Sequence, residues 1–279
     1  MPTGALLHET HMHTPLCKHA RGEPTAYAAV AKERNLAGII VTCHNPPIDG
    51  WAPQVRMASD QLTTYVAMVE HARREWQGEI DVRLGLECDY VPGMEDQIAE
   101  QLTGADFHYV LGSIHPDFPQ YVERFPDDDI VRFQGRYFEQ LAMAAETGLF
   151  DTLSHPDLVK NYRPQDWDVE RLMETIALAL DRIAATGVAM ELNTSGLHKR
   201  VREMNPGPIM LAQMAARNIP VTIGADAHVP QRVGADFDQG LKLLEEAGYT
   251  HVCITLQKER HEISITDALQ SMQTVSEQV

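Results

Sequence analysis

Short apolar runs alternate with longer amphipathic segments along the 279-residue chain. The apolar runs are rich in Val, Ile and Leu, which is typical of strands buried on both faces of a parallel sheet. Residues 251–256 form a candidate eighth run of this kind. The pattern predicts seven strands before it, at residues 5–13, 38–44, 82–89, 108–115, 151–155, 188–194 and 220–228.

The segments between these runs predict helices. Several end in glycine, as at Gly148, Gly187 and Gly248, which is typical of helix C-termini. Because strands and helices alternate, we expect parallel strands with helical crossovers, and at this length a closed α/β barrel in a single domain, 1–279. The predicted helices are residues 25–35, 59–76, 94–102, 133–147, 169–186, 208–217 and 237–247.

Side chains that can bind metals stand at the C-terminal end of nearly every predicted strand, where α/β barrels carry their chemistry. His11 and His13 are two positions apart and so face the same side of a strand, and Asp226 and His228 repeat this spacing. Burying so many imidazoles and carboxylates together is costly unless cations satisfy them. The full set is His11, His13, His44, Glu87, His115, His155, Glu191, Asn193, Asp226 and His228.

A lone histidine at a strand end is more often structural, and an isolated H-x-H pair is a weak signal. The ordered set along consecutive strands is hard to explain without metal. Mixed imidazole and carboxylate ligands suit Zn, Fe or Mn better than an all-oxygen calcium or magnesium site. The sequence therefore predicts two or three divalent ions of this kind.

Composition narrows the partners and the compartment. The net charge of −17 disfavours nucleic acid as a partner and disfavours docking on an anionic membrane. We find neither a secretory signal nor an apolar stretch of about 20 residues. The four cysteines are scattered without a C-x-x-C pair, so we expect reduced thiols in a cytoplasmic protein. The oligomeric state is left open.

Six motifs occur in order: H-x-H-T, T-x-H-N, G-x-E, G-S-I-H, S-H-P-D and G-A-D-A-H. Together they resemble the polymerase and histidinol phosphatase (PHP) superfamily, from about His8 to Val233. The string H-M-H-T-P-L-C-K-H and the segments HPDLVK and NTSGLHK are similar to its histidinol-phosphate phosphatase branch. The ordered set is specific, whereas each motif alone is weak.

The resemblance implies a distorted (β/α)7 TIM-like barrel with a trinuclear metal site. Each implied ligand has a candidate in this chain. The first ion would be held by His11, His13, Glu87 and Asp226, the second by Glu87, His115 and His155, and the third by His19, His44 and His228.

The implied activity is hydrolysis of L-histidinol phosphate to L-histidinol and phosphate in histidine biosynthesis. We expect Glu87 to bridge two ions, with a hydroxide between them attacking phosphorus. Asp226 and His228 are the candidates for proton transfer. The chain has no G-x-S-x-G elbow and no C-x5-R loop that would supply a protein nucleophile.

Four side chains are expected to bind the substrate phosphate or close over it: Lys160, His198, Lys199 and Arg200. His198 stands where the branch usually carries Arg, directly after N-T-x-G-L. Cys43 stands where Asp is usual, and we expect it to pack rather than to bind metal. The acidic segment 116–129, PDFPQYVERFPDDD, matches the branch poorly. These differences leave the metal ligands intact, but they leave the identity of the substrate open.

Three other interpretations stay open from the residues. Another phosphoesterase of the superfamily would act on a nucleotide, a sugar phosphate or a DNA 3′ end, and the charge disfavours DNA. An amidohydrolase also begins with an H-x-H pair, but usually carries a lysine between its metals. A non-catalytic module would store metal or use it structurally.

Overall fold

The computed structural model describes residues 4–273. Its centre is a seven-stranded sheet in which each strand pairs in parallel with the next one along the chain. The strands are β1 His8–Glu9, β2 Gly38–Val41, β3 Asp81–Asp89, β4 Tyr109–Ser113, β5 Thr152–Leu153, β6 Ala189–Asn193 and β7 Val221–Gly224.

The segments that follow β1 and β7 meet in a parallel bridge between Met12 and Ala227. The N–H of His13 donates to the carbonyl of Ala227, and the N–H of Ala227 donates to the carbonyl of His11, each at 2.9 Å. These bonds bring the two ends of the sheet together as a nearly closed barrel. The predicted distorted (β/α)7 TIM-like architecture is thereby confirmed.

Helices connect the strands, and α1 packs on β2 while α2 packs on β3. Pro24 and Pro208 open α1 and α7, at a position where the missing N–H has no helical partner to lose. Within residues 4–273, no helix is both long and apolar enough to cross a bilayer. The helices are α1 Pro24–Glu33, α2 Leu62–Glu75, α3 Glu95–Leu102, α4 Pro119–Arg124, α5 Ile130–Glu146, α6 Met173–Thr186, α7 Pro208–Ala216, α8 Phe237–Glu246 and α9 Ile265–Gln273.

The seven predicted helices are all present, with ends that differ by a few residues. The largest difference at the start of a helix is in α6, predicted from residue 169 and observed from Met173. The sequence did not predict α4 or α9. Helix α4 lies inside the acidic segment 116–129. It has only six residues, so its apolar positions are too few to show a helical period, and prolines flank it.

Five of the seven barrel strands, β1, β2, β4, β5 and β7, are shorter than predicted because they stop before their candidate ligands, whereas β3 contains Glu87 and β6 contains Glu191. Strand β5 ends at Leu153 and β7 at Gly224. Two ligand candidates just beyond them adopt left-handed backbone, His155 with φ of 28° and Asp226 with φ of 47°. Such conformations cost about 1–3 kcal/mol each and break the ladder, and they are characteristic of functional sites.

The candidate eighth strand does not join the barrel. It forms β8, His251–Leu256, which pairs antiparallel with β9, Glu259–Ser264. Ile254 packs against Tyr109, the first residue of β4, and Arg260 donates to the carbonyl of Gly187 just before β6, at 2.7 Å. The hairpin therefore covers the N-terminal end of the barrel, opposite the candidate ligands.

Candidate metal centre

The predicted metal ligands converge at the C-terminal end of the barrel, although they come from segments up to about 200 residues apart. His115 joins them through its Nε2 atom, 3.6 Å from Oε1 of Glu87. The other ligand atoms form groups whose members lie within 4.8 Å of one another, namely His11–His13–Asp226, His11–Glu87–His155, His13–His44–Glu87 and His19–His44–His228.

Glu87, near the end of the long strand β3, lies at the centre of the cluster. Its Oε1 atom lies 3.5 Å from Nε2 of His11 and 3.1 Å from Nε2 of His155. Its Oε2 atom lies 2.6 Å from Nδ1 of His44 and 3.6 Å from Nε2 of His13. The two oxygens thus face different imidazoles, as the oxygens of a bridging carboxylate do.

Several buried atoms of the cluster have no hydrogen-bond partner among the described residues. They are Nε2 of His11, Nδ1 of His13, His44 and His155, and Oε2 of Glu87. The His44 and Glu87 atoms approach each other without hydrogen-bond geometry. An unpaired buried polar atom costs about 1–3 kcal/mol. Converging nitrogen and oxygen lone pairs of this kind fit divalent cations, so the residues present fit the predicted metal.

Carboxylates hold two of the imidazoles from behind. Nδ1 of His11 lies 2.8 Å from Oε1 of Glu191, and Nδ1 of His115 lies 2.6 Å from Oδ1 of Asp89. A proton on each Nδ1 donates to its carboxylate and leaves Nε2 free to bind metal. Glu191, a candidate ligand by its strand-end position, therefore supports a ligand instead of lying in the cluster.

Backbone carbonyls hold two other imidazoles. Nδ1 of His19 lies 2.7 Å from the carbonyl of Cys17, and Nδ1 of His228 lies 2.9 Å from the carbonyl of Asp226. The Nε2 atoms of His19 and His228 then face each other at 2.9 Å. Two imidazole lone pairs at this separation repel each other unless a proton or a cation lies between them.

Arg56, which the sequence analysis missed, completes the support of His115. Its guanidinium is fully buried and donates from Nε to Oδ2 of Asp89 at 2.7 Å. It also lies 5.1 Å from the centre of the Phe118 ring. Burial alone would raise the pKa of Asp89, but the charges of Arg56 and His115 hold it below its usual range. Asp89 is therefore a carboxylate that holds His115 in place.

The surroundings of the two acidic members of the cluster favour their ionised forms. Burial alone would raise the pKa of Glu87, but the imidazoles of His44 and His11 hold it well below its usual range. Burial would likewise raise the pKa of Asp226, and the charges of Lys199 and His11 hold it well below. Both groups therefore present anionic oxygens to an incoming cation.

The cluster opens onto a cavity of 520 Å³. Two of the four expected phosphate-binding residues, Lys199 and Arg200, line it. Nζ of Lys199 lies 3.1 Å from Oδ2 of Asp226, and the Arg200 guanidinium donates to the carbonyl of Asn161 at 3.3 Å. Both cations thus stand beside the cluster, on the loop that follows β6.

The other two expected phosphate-binding residues do not line this cavity. Lys160 is fully buried, and its Nζ donates to Oδ2 of Asp157 at 3.0 Å and to the carbonyl of Met204 at 2.7 Å. Its ammonium is thus engaged inside the protein. His198 is exposed, with Nε2 3.2 Å from Oδ2 of Asp236. The sequence placed both near the phosphate because loop direction is not visible in a motif.

Glu9 is a second buried residue that the sequence analysis missed. Its Oε1 accepts from the N–H groups of His11, at 3.0 Å, and Ala225, at 2.9 Å, and its Oε2 accepts from Gly234 at 2.7 Å. Burial raises its pKa to about 7 against these three donors. Glu9 joins the segments that carry the ligands, and its spacing of two from His11 was the available signal.

Cys43 packs in the interior, as expected. It is buried, and its sulfur accepts from the hydroxyl of Thr14 at 3.2 Å. Cys17 was not singled out, yet its sulfur lies within 4.8 Å of ligand atoms of His13 and His228. The chain thus places one thiol at the edge of the cluster.

Comparisons with known proteins agree with this geometry. A family model described as the PHP domain matches residues 9–195. A probable histidinol-phosphatase of Deinococcus radiodurans is 36% identical over 246 residues, covering 86% of this chain and 93% of that protein. The histidinol-phosphatase of Bacillus subtilis is 25% identical over 267 residues, covering 83% and 97% respectively.

A solved structure has the same fold. It is the histidinol phosphate phosphatase of Lactococcus lactis subsp. lactis, complexed with Zn, L-histidinol and phosphate. The two chains align with a TM-score of 0.78 at 18% identity, covering 91% of this chain and 98% of that one. Because the family model matches more than half of the sequence and the Deinococcus protein aligns over most of both chains, this chain belongs to the PHP domain family.

Proposed function

We propose that this protein is a metal-dependent phosphoric monoester hydrolase that converts L-histidinol phosphate to L-histidinol and phosphate, a step of histidine biosynthesis. The observation that carries the proposal is the convergence of imidazoles on the two oxygens of Glu87, beside a cavity that Lys199 and Arg200 line. The relatives named histidinol-phosphatase support the substrate. We treat the whole chain as one catalytic unit.

Two or three divalent ions, Zn, Fe or Mn, are the cofactors that the side chains suit. When bound, such ions supply Lewis-acid chemistry, which makes water nucleophilic at neutral pH and neutralises phosphate charge. Glu87 would be shared between two of them. The proposed ligand sets are His11, His13, Glu87 and Asp226 for one ion, Glu87, His115 and His155 for another, and His19, His44 and His228 for a third.

Lys199 and Arg200 are the proposed phosphate anchors. Both are basic side chains that line the cavity, and Arg200 has N–H groups in a fork that matches phosphate oxygens. The contacts of Lys160 with Asp157 and of His198 with Asp236 support a role in holding their loops rather than in binding phosphate. Substitution of Lys199 should therefore raise KM more than substitution of His198.

Asp226 and His228 are the proposed residues for proton transfer. Burial and the nearby charge of His13 lower the pKa of His228 to about 4, so its ring is neutral at pH 7. Asp226 is ionised at that pH for the reasons given above. Asp226 is thus able to accept a proton during the reaction, and His228 can accept one at Nε2 while that atom holds no ion, because its Nδ1 donates to the carbonyl of Asp226.

The amidohydrolase interpretation loses support from the position of the lysines. The lysine near the cluster, Lys199, pairs with Asp226 from the cavity side, and Lys160 is engaged by Asp157. Glu87, not a lysine, occupies the position between the imidazoles. A phosphoesterase of the same family with another small substrate is the alternative that an assay must separate.

A phosphate-release assay with purified protein tests the proposal. L-histidinol phosphate is compared with a nucleoside monophosphate, a sugar phosphate and phenyl phosphate, before and after chelation, and bound metal is determined by elemental analysis. We expect a strong preference for L-histidinol phosphate that disappears on chelation and returns with Zn or Mn. Metal-dependent turnover of the other esters, with L-histidinol phosphate poor, would keep the hydrolase and overturn the substrate.

A further inference from the structure

The cavity beside the metal centre has a second acidic group that the catalytic cluster does not use. Two acidic residues line it, Asp226 within the cluster and Asp117 in the turn between β4 and α4. The metal side of the cavity, with Lys199 and Arg200, favours anions. A carboxylate in the same cavity repels a phosphate unless the substrate carries a cation that pairs with it.

Asp117 has no hydrogen-bond or ion-pair partner in the part of the chain that the structure describes. Its carboxylate makes no hydrogen bond and no ion pair with any residue between 4 and 273, and the residue is exposed. Other acidic residues near the site have such partners, as Asp89 does with Arg56 and Asp157 does with Lys160. Asp117 is therefore free to receive a cation from outside.

The turn that carries Asp117 is held on both sides. On one side, His115 is fixed by its 2.6 Å contact with Asp89. On the other, the Phe118 ring stacks on His115 with centroids 4.9 Å apart and planes 17° apart, and Arg56 packs on its face. A carboxylate between two fixed residues is preorganised, so binding through it loses little conformational entropy.

We propose that Asp117 binds the ammonium group of a phosphorylated amino alcohol and so selects substrates with an amine close to the phosphate. This inference rests on the proposed function. L-histidinol phosphate is such a compound, because its amine is on the carbon next to the phosphate-bearing CH₂ group. Val55, Phe118 and Leu158 supply an apolar wall in the same cavity for the remaining side chain. Asp117 is thus a specificity-determining residue outside the metal cluster.

The test compares Asp117→Asn with wild type on two substrates that differ only in the amine, L-histidinol phosphate and 3-(imidazol-4-yl)propyl phosphate. Asp106→Asn is the matched control. Asp106 is exposed, lies in the loop before β4 and hence at the opposite end of the barrel, and has no described ion pair. The Asp106→Asn substitution removes the same charge as Asp117→Asn and leaves the residues that line the cavity unchanged.

We expect Asp117→Asn to lower kcat/KM for L-histidinol phosphate about 10-fold, mainly through KM. This is the low end for a hydrogen bond between charged groups, because the carboxylate is exposed to solvent. The amine-free ester should be hydrolysed by Asp117→Asn as by wild type, and Asp106→Asn should match wild type on both. The difference between substrates should shrink as ionic strength rises.

Two results would overturn the assignment while leaving the proposed function intact. They are an unchanged kcat/KM of Asp117→Asn on both esters, and an equal loss on both, which would mean a structural effect on the turn. A wild-type enzyme that hydrolyses neither ester, but hydrolyses others, would overturn the proposed function and the Asp117 assignment with it.

Discussion

The metal centre has two halves that are built differently. The inner half holds the proposed ligands of the first two ions. His11, His13, Glu87 and His155 are each exposed by 1% or less, and the side chains of Asp226 and His115 are exposed by 10% and 11%. The outer half consists of His19, His44 and His228. Of these, His44 is buried, His19 is exposed, and the His228 side chain is 29% exposed. Histidine side chains of one cluster thus lie in two different dielectric environments.

The support behind the ligands differs in the same direction. Glu191, an anion, backs His11, whereas neutral backbone carbonyls back His19 and His228. Charge-assisted hydrogen bonds are roughly twice as strong as neutral ones and fix ring orientation more firmly. We therefore expect the inner half to hold its ions tightly and the outer half to exchange its ion with solvent.

Glu87→Gln should have the largest effect, because it removes the charge that both halves share. We expect kcat/KM on L-histidinol phosphate to fall roughly 10³-fold or more, since loss of one preorganised electrostatic contact alone costs about 10²–10³. Bound metal should fall by more than one equivalent by elemental analysis. Glu245→Gln, on the exposed surface of α8, is the matched control and should behave as wild type. Unchanged turnover in Glu87→Gln would exclude the bridging role.

Glu191→Gln should have the second-largest effect. Glutamine still accepts a hydrogen bond from His11 but carries no charge, so metal affinity or activity should fall about 10- to 100-fold. The loss should concern an inner ion, whereas the outer ion should be bound as in wild type. Competition with a chelator of known affinity measures the metal affinity of each site. A loss confined to the outer ion would reverse the comparison between the halves.

His19→Ala should have a smaller effect than either. The variant removes a ligand of the outer half and none of the inner one, so we expect one equivalent of metal to be lost and measurable turnover to remain. In wild type, a limiting amount of chelator should remove this same equivalent first, as shown by elemental analysis after gel filtration. If chelation of wild type empties all sites together, the two halves do not differ in affinity.

The predicted site residues that the structure brings together are mostly those at strand ends. The alternation of side chains placed His11 with His13, and the barrel rule brought distant strand ends together. Glu9 and Asp89 obey the same alternation, each two positions from a ligand candidate, and could have been predicted by extending it. What alternation cannot tell is whether such a residue binds metal or supports a ligand, as Glu191 shows.

The residues that the sequence could not place are on loops. Arg56 comes from an irregular segment and reaches Asp89 only through tertiary packing. Lys160 and His198 belong to motifs next to the site, yet short 3-10 helices, Leu158–Asn161 and Thr194–His198, turn their side chains towards Asp157 and Asp236. Loop direction depends on such contacts, which no local pattern encodes.

The smallest expected difference between the halves is in the number of protons that each releases when metal binds. Burial lowers the pKa of His13, but the hydrogen bond with Asp226 and the nearby Cys17 side chain outweigh it and raise the pKa to about 9. Burial also opposes protonation of His11, yet the charges of Glu191, Glu87 and Asp226 hold its pKa well above the ordinary value. Burial lowers the pKa of a third inner imidazole, His155. In the outer half, burial and the charge of Arg56 hold the pKa of His44 well below its ordinary value, and burial and the charge of His13 lower that of His228 to about 4. Burial also opposes protonation of His19, but the contact with Cys17 outweighs it and raises the pKa of His19.

A bound ion needs neutral imidazoles, so at pH 7 the inner ions must displace protons from His11 and His13, whereas in the outer half only the pKa of His19 is raised. The apparent affinity of the inner sites should therefore rise with pH until about pH 9, while that of the outer site should change less. The same shift means that in metal-free protein the stabilisation from protonated His13 is complete below its unfolded pKa near 6.5 and is lost as pH rises towards 9. Calorimetry of Zn binding to metal-free protein, in buffers of different ionisation enthalpy, counts the protons. Equal proton release from the tight and the weak sites would show that nearby carboxylates, not burial, set the pKa values of the imidazoles in both halves.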